Sequence, residues 1–230
     1  MAVALAAVSL LGAGCALPVR RDAAPSAASG GLRSGDGTAS VAEFRQDVQD
    51  AQGSVEGYWR QTLPRQGVPF RPVSQVRPYT GAQEVACAGT ALGLNNAAYC
   101  PAGDFIAYDA NWAVGQFRRI GDAFIFYLVG HEYAHAVQQR LRVSHRFTIQ
   151  HELQADCLAG AYIGQSVRGG SLQLQDGDLA ELRRGLLAVA DDPSQPWFAP
   201  DAHGTVEQRT RSFFDGFERG LAACDLTVGG

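Results

Sequence analysis

HEYAH, residues 131–135, and HELQAD, residues 151–156, are the two stretches that decide which fold this chain can adopt. In an α-helix, residues four positions apart lie on one face, so His131 and His135 present their imidazole rings to the same point. Two imidazoles placed in this way can hold one zinc ion, and Glu132 beside them can accept a proton from water. The first stretch therefore predicts a helix that carries part of a hydrolytic zinc site.

The second stretch supplies the remaining ligand. A catalytic zinc ion takes three protein ligands and keeps a fourth position for water, and Glu152 completes such a set with His131 and His135. Asp156 lies one helical turn after Glu152 on the same face, so we expect it to accept a hydrogen bond from a ligating imidazole. His151 is the competing third ligand, but its side chain points about 100° away from that of Glu152 around the helix. The expected cofactor is one Zn²⁺ ion.

Helix-start signals occur at five places, and they predict a chain that is mainly α-helical. The predicted helices begin at Ser40, with Glu43, and run to about Leu63; at Asp122, to about residue 141; at Thr148, to about Val167; at Asp178, with Glu181, to about Ala190; and at Thr205, with Gln208, to about Ala223.

Residues 83–109 are expected to form short β-strands. Residues 98–100 and 105–108 read as two strands that the turn at residues 101–104 joins. The predicted fold class is therefore α+β, mainly α-helical with a small antiparallel β-sheet or hairpin. The sheet edge can hold a substrate backbone near the metal, or the sheet can simply pack on the helices, and the sequence leaves both roles open.

The cysteines of the predicted domain form an even set, which in an exported protein is typical of disulfide bonds. Three pairings are possible. Cys87 and Cys100 are close enough in sequence to tie a hairpin together, and Cys157 would then pair with Cys224. Metal thiolates are the alternative interpretation, but the chain contains no CxxC pair.

The N-terminal sequence predicts export. Residues 1–14 are apolar but too short to span a bilayer comfortably, and the small residues before Cys15 resemble the cleavage site of a lipoprotein signal. We assign residues 1–15 to this signal, with lipidation at Cys15, residues 16–39 to a flexible linker and residues 40–230 to a zinc peptidase domain. A plain cleaved signal or a short buried apolar segment is the alternative.

Composition narrows the set of partners. The chain is 46% hydrophobic and 18% charged, which is ample for a folded core. Its net charge of −4 and the lack of a basic run argue against nucleic acid as a partner. We expect a peptide or protein substrate, and a lipid anchor to the membrane. The expected location is the cell envelope, on the outer face of the cytoplasmic membrane, or outside the cell.

His203 and Arg209 stand at the start of the last predicted helix. His203 can lean into the cleft and donate a hydrogen bond to the oxyanion of a tetrahedral intermediate. Arg209 can orient this histidine or pair with a carboxylate of the site. The alternative is a surface histidine beside a surface arginine, and the residues alone do not separate these interpretations.

Further short motifs surround the metal-binding stretches, and together they cover about residues 83–224. They resemble, in sequence and in order, those of the bacterial putative neutral zinc metallopeptidase family. The motifs are CAG at 87–89, YCP at 99–101, GD at 121–122, HEYAHAVQ at 131–138, ELQADCLAG at 152–160, GDL at 177–179, HGTVEQR at 203–209 and FFDGF at 213–217.

The resemblance implies a zincin-like fold of a minimal gluzincin type. It implies that the two histidines of HEYAH and Glu152 bind the zinc ion, and that Glu132 is catalytic. The usual family motif is closer to HExGHHVQ, whereas this chain has Ala134 and Ala136. The ligand spacing and the glutamate are retained. HGTVEQR also resembles the His-to-Arg spacing of membrane-associated gluzincin peptidases, which favours a role for His203 in the site.

Two classes of function are compatible with these residues. The first is an exported, membrane-tethered zinc metallopeptidase, in which Glu132 is the general base. The second is a non-catalytic envelope lipoprotein that keeps the zinc site for structure or for binding peptides or partners. A structural site needs no carboxylate beside an open coordination position, so Glu132 favours the first. A zinc amidase acting on cell-wall peptides uses the same chemistry and is not distinguished by sequence.

Overall fold

Six α-helices and two small β-sheets form residues 39–226, the part of the chain that this computed structural model describes. The mainly helical α+β class predicted from the sequence is confirmed. The helices are α1 (Val41–Thr62), α2 (Ala110–Ile120), α3 (Ala123–Leu141), α4 (Thr148–Arg168), α5 (Asp178–Ala188) and α6 (Val206–Arg219), with short 3₁₀ turns at Leu63–Gln66 and Gly220–Ala223. The strands are β1 (Gln75–Tyr79), β2 (Ala86–Cys87), β3 (Thr90–Ala91), β4 (Ala97–Cys100) and β5 (Phe105–Asp109).

The main sheet has the strand order β1-β5-β4, with β5 antiparallel to β4 and parallel to β1. The predicted hairpin of β4 and β5 is present. The sheet is mixed rather than antiparallel because β1, which was not predicted, pairs with β5 in parallel. Pro78 lies within β1, and a proline argues against an internal strand. However, β1 is an edge strand, the position at which a sheet tolerates a proline. The short strands β2 and β3 form a separate antiparallel pair.

Helix α2 was also missed by the sequence analysis, because it follows β5 without a connecting loop. Asp109 ends the strand and caps the helix in one step. Its Oδ1 accepts hydrogen bonds from the backbone N–H groups of Asn111 and Trp112, at 2.9 and 3.3 Å. The single residue therefore replaces the turn that would have signalled a boundary.

Helix α3, which carries HEYAH, lies at the centre of the fold and packs against α1, α4 and α5. It is buried around most of its circumference, as expected for a helix that is apolar on nearly every side. Large aromatic side chains fill the space around it, and several are fully buried. They include Trp59, Phe124, Tyr127, Tyr133, Tyr162 and Phe213.

Helices α4 and α6 approach each other unusually closely, because glycines lie at their crossing. A Cβ on Gly160 would lie 1.9 Å from the carbonyl oxygen of Phe213, and a Cβ on Gly216 would lie 1.9 Å from that of Cys157. Only hydrogen fits at these positions. The close packing brings the second metal-binding stretch within reach of the HGTVEQR motif.

Two of the predicted helix starts have the expected capping residue, and the one at Thr205 is a complete capping box. Ser40 Oγ accepts from the backbone N–H of Glu43 at 3.1 Å, and α1 begins at the next residue. Thr205 Oγ1 accepts from the backbone N–H of Gln208, whose side-chain oxygen accepts in turn from the N–H of Thr205 at 2.9 Å.

The other three helix starts differ from the prediction in their caps. Asp122 occupies the N-cap position of α3, but its side chain makes no capping hydrogen bond. The N-cap of α4 is Phe147 rather than Thr148, whose hydroxyl donates instead to the Pro200 carbonyl at 2.8 Å. The N-cap of α5 is Gly177 rather than Asp178. In each case a tertiary contact or a glycine replaces the local signal.

Both disulfide pairs anticipated from the sequence are present, Cys87 with Cys100 and Cys157 with Cys224. The first ties β2 to β4 in the sheet region, and the second ties α4 to the C-terminal end of the described chain. Within residues 39–226 no helix has the length and hydropathy needed to cross a bilayer. The predicted signal and lipidation site, and the linker up to residue 38, lie outside the described residues.

Candidate metal centre

Helices α3 and α4 present three side chains that could bind a metal ion to one point. His131 Nε2 lies 3.2 Å from His135 Nε2 and 3.2 Å from Glu152 Oε2. His135 Nε2 lies 3.5 Å from the other carboxylate oxygen of Glu152. The predicted ligand atoms thus converge, all within 4.8 Å of one another.

The far side of each imidazole shows what this point can hold. His131 Nδ1 lies 2.9 Å from Asp156 Oδ1, and His135 Nδ1 lies 2.8 Å from Gln138 Oε1. Both partners are acceptors, so each Nδ1 carries the hydrogen of the neutral ring, and each Nε2 offers a lone pair. Two lone pairs and a carboxylate then face one another, and this arrangement requires a cation.

Zinc fits this arrangement. Ligands at about 2.0–2.1 Å from a tetrahedral zinc ion are about 3.3 Å apart, close to the 3.2 Å between the two Nε2 atoms. Two histidines and one carboxylate are also a set that catalytic zinc sites use. The side chains that would hold the ion are therefore His131, His135 and Glu152.

The electrostatics of the site favour positive charge at the same point. Burial alone would lower the pKa of His131, but the negative charges of Asp156 and Glu152 raise it to about 10. Burial would raise the pKa of Glu152, but hydrogen bonds from His131 and His135 hold it below the ordinary carboxyl value. The buried carboxylates thus remain ionised and attract a cation, either a proton or a metal ion.

Arg209 neutralises the carboxylate behind His131. Its Nε lies 2.8 Å from Asp156 Oδ2 and its Nη2 lies 2.9 Å from Asp156 Oδ1. Burial would raise the pKa of Asp156, but the charge of Arg209 and then that of His131 lower it. Of the two roles considered for Arg209, the structure shows pairing with a carboxylate of the site.

Tyr127, one turn before His131 on α3, completes this buried group and was missed by the sequence analysis. Its hydroxyl donates to Asp156 Oδ1 at 2.8 Å and accepts from Arg209 Nη2 at 2.9 Å. Its position at i−4 from a predicted ligand was the available signal, but apolar neighbours on both sides made a core tyrosine the simpler interpretation.

His203 lines the same cavity as the metal ligands. Its side chain is 48% exposed, and its Nδ1 lies 3.2 Å from Asp191 Oδ1. The backbone N–H groups of His203 and Gly204 donate to the other carboxylate oxygen of Asp191, at 2.5 and 2.7 Å. Asp191 therefore orients His203, a role the sequence analysis did not assign, because Asp191 belongs to an irregular loop.

Glu132 lies on the wall of this cavity, between α3 and the sheet. The cavity has a volume of about 730 Å³ and is lined by residues of α3, α4 and β4. Glu132 is buried, and its Oε2 accepts a hydrogen bond from the backbone N–H of Tyr99 in β4 at 2.8 Å. The predicted base is thus held between the metal ligands and a strand edge.

The other two histidines of this region lie next to the site. His151 packs its ring on that of His145, with centroids 4.7 Å apart, and the converging ligand set contains Glu152 rather than His151. His145 lies in the loop between α3 and α4, is half-buried, and has its Nε2 3.2 Å from Gln154 Oε1.

A second group of acidic side chains lies where α3 and α5 begin. Asp122, Asp178 and Glu181 are buried with carboxylate oxygens within 4.8 Å of one another. Glu181 Oε2 accepts from the backbone N–H of Ala123 at 3.3 Å, and a Cβ on Gly121 would lie 1.9 Å from the same oxygen. The GD and GDL motifs therefore meet here, where they join the start of α5 to the start of α3.

A comparison with protein families matches residues 7–227 to the model described as putative neutral zinc metallopeptidase. The chain belongs to this family. The resemblance inferred from the short motifs is thus confirmed. Family membership supports zinc as the metal and peptide hydrolysis as the type of reaction.

Several curated proteins described as uncharacterized are similar to this chain. YpfJ of Escherichia coli (strain K12) is 29% identical over 200 residues, which cover 76% of this chain and 68% of YpfJ. Rv2575 of Mycobacterium tuberculosis (strain H37Rv) and Mb2605 of Mycobacterium bovis are each 30% identical over 195 residues, covering 73% of this chain and 64% of the relative. No solved structure matches the chain significantly.

Proposed function

We propose that this protein is an exported zinc metallopeptidase that hydrolyses peptide bonds, with Glu132 as general base. One observation carries the proposal. His131, His135 and Glu152 converge with their lone pairs on one point, and Glu132 lies beside them on the wall of an open cavity.

The residues of the site divide the work of hydrolysis. When bound, zinc would supply a Lewis acid that polarises the scissile carbonyl and lowers the pKa of the attacking water. Glu132 would accept the proton of that water and return it to the leaving amine. The hydrogen bond from Tyr99 N–H to Oε2 fixes the carboxylate in place, and the second oxygen stays available for the proton.

Strand β4 offers a surface for the substrate backbone. Among the described strands it pairs only with β5, so its other edge is open towards the cavity. Backbone groups of alternate residues point to the same side of a strand, so Ala97 presents its N–H and C=O on the edge where the Tyr99 N–H already holds Glu132. An extended peptide can add to this edge through main-chain hydrogen bonds, and the substrate class would then be an unfolded or extended peptide segment.

His203 is the proposed donor to the oxyanion. Because Asp191 accepts from its Nδ1, its Nε2 is left to donate when the ring is protonated, and the ring lines the cavity that holds the metal ligands. Such a donor stabilises the charge that develops in the transition state.

The proposal includes export and a lipid anchor at Cys15. The two disulfides support export, because such bonds form in oxidising compartments. Radiolabelled palmitate incorporation into the parent but not into a Cys15→Ala variant would establish the anchor, whereas equal labelling of both would contradict it.

The deciding experiment compares the purified parent with Glu132→Gln, and with Glu218→Gln as a control on the exposed face of α6. Zinc content and cleavage of a peptide library are measured on the same samples. We expect one zinc ion in all three proteins and a rate at least about 10²-fold lower in Glu132→Gln alone. Unimpaired cleavage by Glu132→Gln would overturn its role as base, and a folded parent without zinc would overturn the site.

A further inference from the structure

Two buried glutamines link His135 to the C-terminal end of the described chain. Gln138 is 3% exposed; its Oε1 lies 2.8 Å from His135 Nδ1, and its Nε2 donates to the His151 carbonyl at 2.9 Å and to Gln154 Oε1 at 3.0 Å. Because Nε2 serves two acceptors, reversing the amide would place its oxygen against both of them. The amide orientation is therefore determined, and it makes His135 Nδ1 the donor.

The amide orientation of Gln154 is also determined by its hydrogen bonds, here to the C-terminal segment. Gln154 is 7% exposed, and its Nε2 donates to the carbonyl oxygens of Cys224 at 3.0 Å and Asp225 at 3.2 Å. Its Oε1 accepts from Gln138 and lies 3.2 Å from His145 Nε2. Two main-chain carbonyls of the C-terminal segment thus fix which end of each glutamine amide donates, first in Gln154 and then in Gln138.

The position of those two carbonyls depends on a covalent bond. Cys224 is joined to Cys157, which lies three residues after Gln154 on α4, and both cysteines are buried. The disulfide therefore keeps the carbonyl of Cys224 and the next one over the Gln154 amide. Opening it would leave this segment held by non-covalent contacts alone.

We propose that the Cys157–Cys224 disulfide controls how tightly the site holds zinc, acting through Gln154 and Gln138 on His135. This inference rests on the proposed function and adds a means of regulation to that site. An acceptor on the second nitrogen of a ligating histidine fixes its tautomer and ring direction, and losing one typically weakens metal binding about 10–100-fold.

The other histidine ligand provides an internal contrast. His131 Nδ1 faces Asp156, which is held by Arg209 and Tyr127 rather than by the glutamines. Its orientation is independent of the C-terminal segment. Removing the disulfide by substitution should therefore weaken one ligand and leave the other two in place, so that zinc still binds but with lower affinity.

The test measures zinc affinity by competition with a chromophoric chelator, at one pH, with no peptide present. The full chain is compared with Gln154→Leu and with a Cys157→Ser/Cys224→Ser variant, and circular dichroism checks that each is folded. The matched control removes the other disulfide, Cys87→Ser/Cys100→Ser, which has no link to the glutamines. We expect zinc binding about tenfold weaker than in the full chain for Gln154→Leu and for Cys157→Ser/Cys224→Ser, and a change within about twofold for the control.

A combination of variants separates this role from a purely structural one. Adding Gln154→Leu to the Cys157→Ser/Cys224→Ser variant should cause no further loss, because both changes break the same chain. In Gln138→Glu, the carboxylate still accepts from His135 but no longer donates to Gln154, so zinc affinity should stop responding to the disulfide.

Parent-like zinc affinity in a folded protein without the Cys157–Cys224 bond would overturn the inference, and so would full additivity. If that variant does not fold, unchanged affinity in Gln154→Leu overturns it alone. The outcome is separate from that of the proposed function. A parent that binds zinc through this chain but cleaves no peptide would contradict the peptidase alone, whereas a parent that binds no zinc would contradict both.

Discussion

Asp156 and Arg209 form a two-pronged ion pair in the interior of the protein, with N···O distances of 2.8 and 2.9 Å. Asp156 is fully buried and Arg209 is 2% exposed. The Oδ1 atom that receives Arg209 also lies 2.9 Å from His131 Nδ1. Helix α6, far from the HEYAH motif in sequence, therefore sets the charge of the group that orients a metal ligand.

Removing the cation of this pair should destabilise the fold strongly. Arg209→Met leaves the Asp156 carboxylate buried without compensation, and we expect the free energy of unfolding to fall by about 3–5 kcal/mol. Urea unfolding followed by circular dichroism measures this, with Arg211→Met on the exposed face of the same helix as the control. A loss below about 1 kcal/mol would contradict the view that the guanidinium compensates this charge.

Glycine at the crossing of α4 and α6 should be irreplaceable, whereas glycine on the open side of α1 should not. A methyl group at Gly160 would lie 1.9 Å from the Phe213 carbonyl oxygen, and nothing lies within 4 Å of one at Gly53. We expect Gly160→Ala to cost about 2–3 kcal/mol and Gly53→Ala to stabilise by about 0.5–1 kcal/mol. Equal effects in thermal unfolding would contradict the close packing.

The carboxylate cluster at the start of α3 and α5 should make stability depend on pH. Burial, then the charge of Asp178, raise the pKa of Glu181 above its ordinary value. The folded state therefore holds this proton more tightly, so the stabilisation is complete below the unfolded pKa of about 4.3 and is lost as pH rises through the folded pKa. We expect Glu181→Gln to gain stability relative to the parent at pH 8 compared with pH 4.

Unfolding of both proteins by urea at several pH values measures this difference. Glu218→Gln, an exposed change, serves as the control and should show no such trend. A stability difference between the parent and Glu181→Gln that is the same at pH 4 and pH 8 would show that the carboxyl is not perturbed.

Zinc removal should lower the melting temperature. An ion that binds only the folded state stabilises it by about 2.7 kcal/mol at a concentration 100 times its Kd. We expect dialysis against a chelator to lower the melting temperature of the parent, and added zinc to restore it. Glu152→Ala should lose most of this response, since one of three ligands is gone. A zinc response in Glu152→Ala equal to that of the parent would rule out Glu152 as a ligand.

His203→Ala should separate catalysis from metal binding. The ring pairs with Asp191 and does not belong to the converging ligand set, so the zinc-dependent shift in melting temperature should be unchanged. Loss of one donor to an oxyanion typically lowers kcat about 10²–10³-fold. Measuring both quantities on the same variant checks the assignment, and a parent-like kcat would remove His203 from the mechanism.

Much of the candidate site could be predicted because its signals are local. The spacings of His131 to His135 and of Glu152 to Asp156 each equal one helical turn, so a helix alone brings each pair to one face. The N-cap bond at Ser40 and the capping box at Thr205 are local in the same sense. Where the local signal points elsewhere, as with the proline in β1 and the missing turn before α2, the prediction missed the element.

The sequence by itself determined the helices that carry the candidate ligands, the side chains that converge on one point, and the family. Only the tertiary structure decided which side chains hydrogen-bond to the histidines and which groups hold those side chains in turn. Asp156 and Arg209 are 53 positions apart, and Gln154 and Cys224 are 70 apart. Such contacts depend on how whole helices pack, through glycine crossings and many weak apolar contacts summed over the core. Periodicity within one segment does not encode that sum.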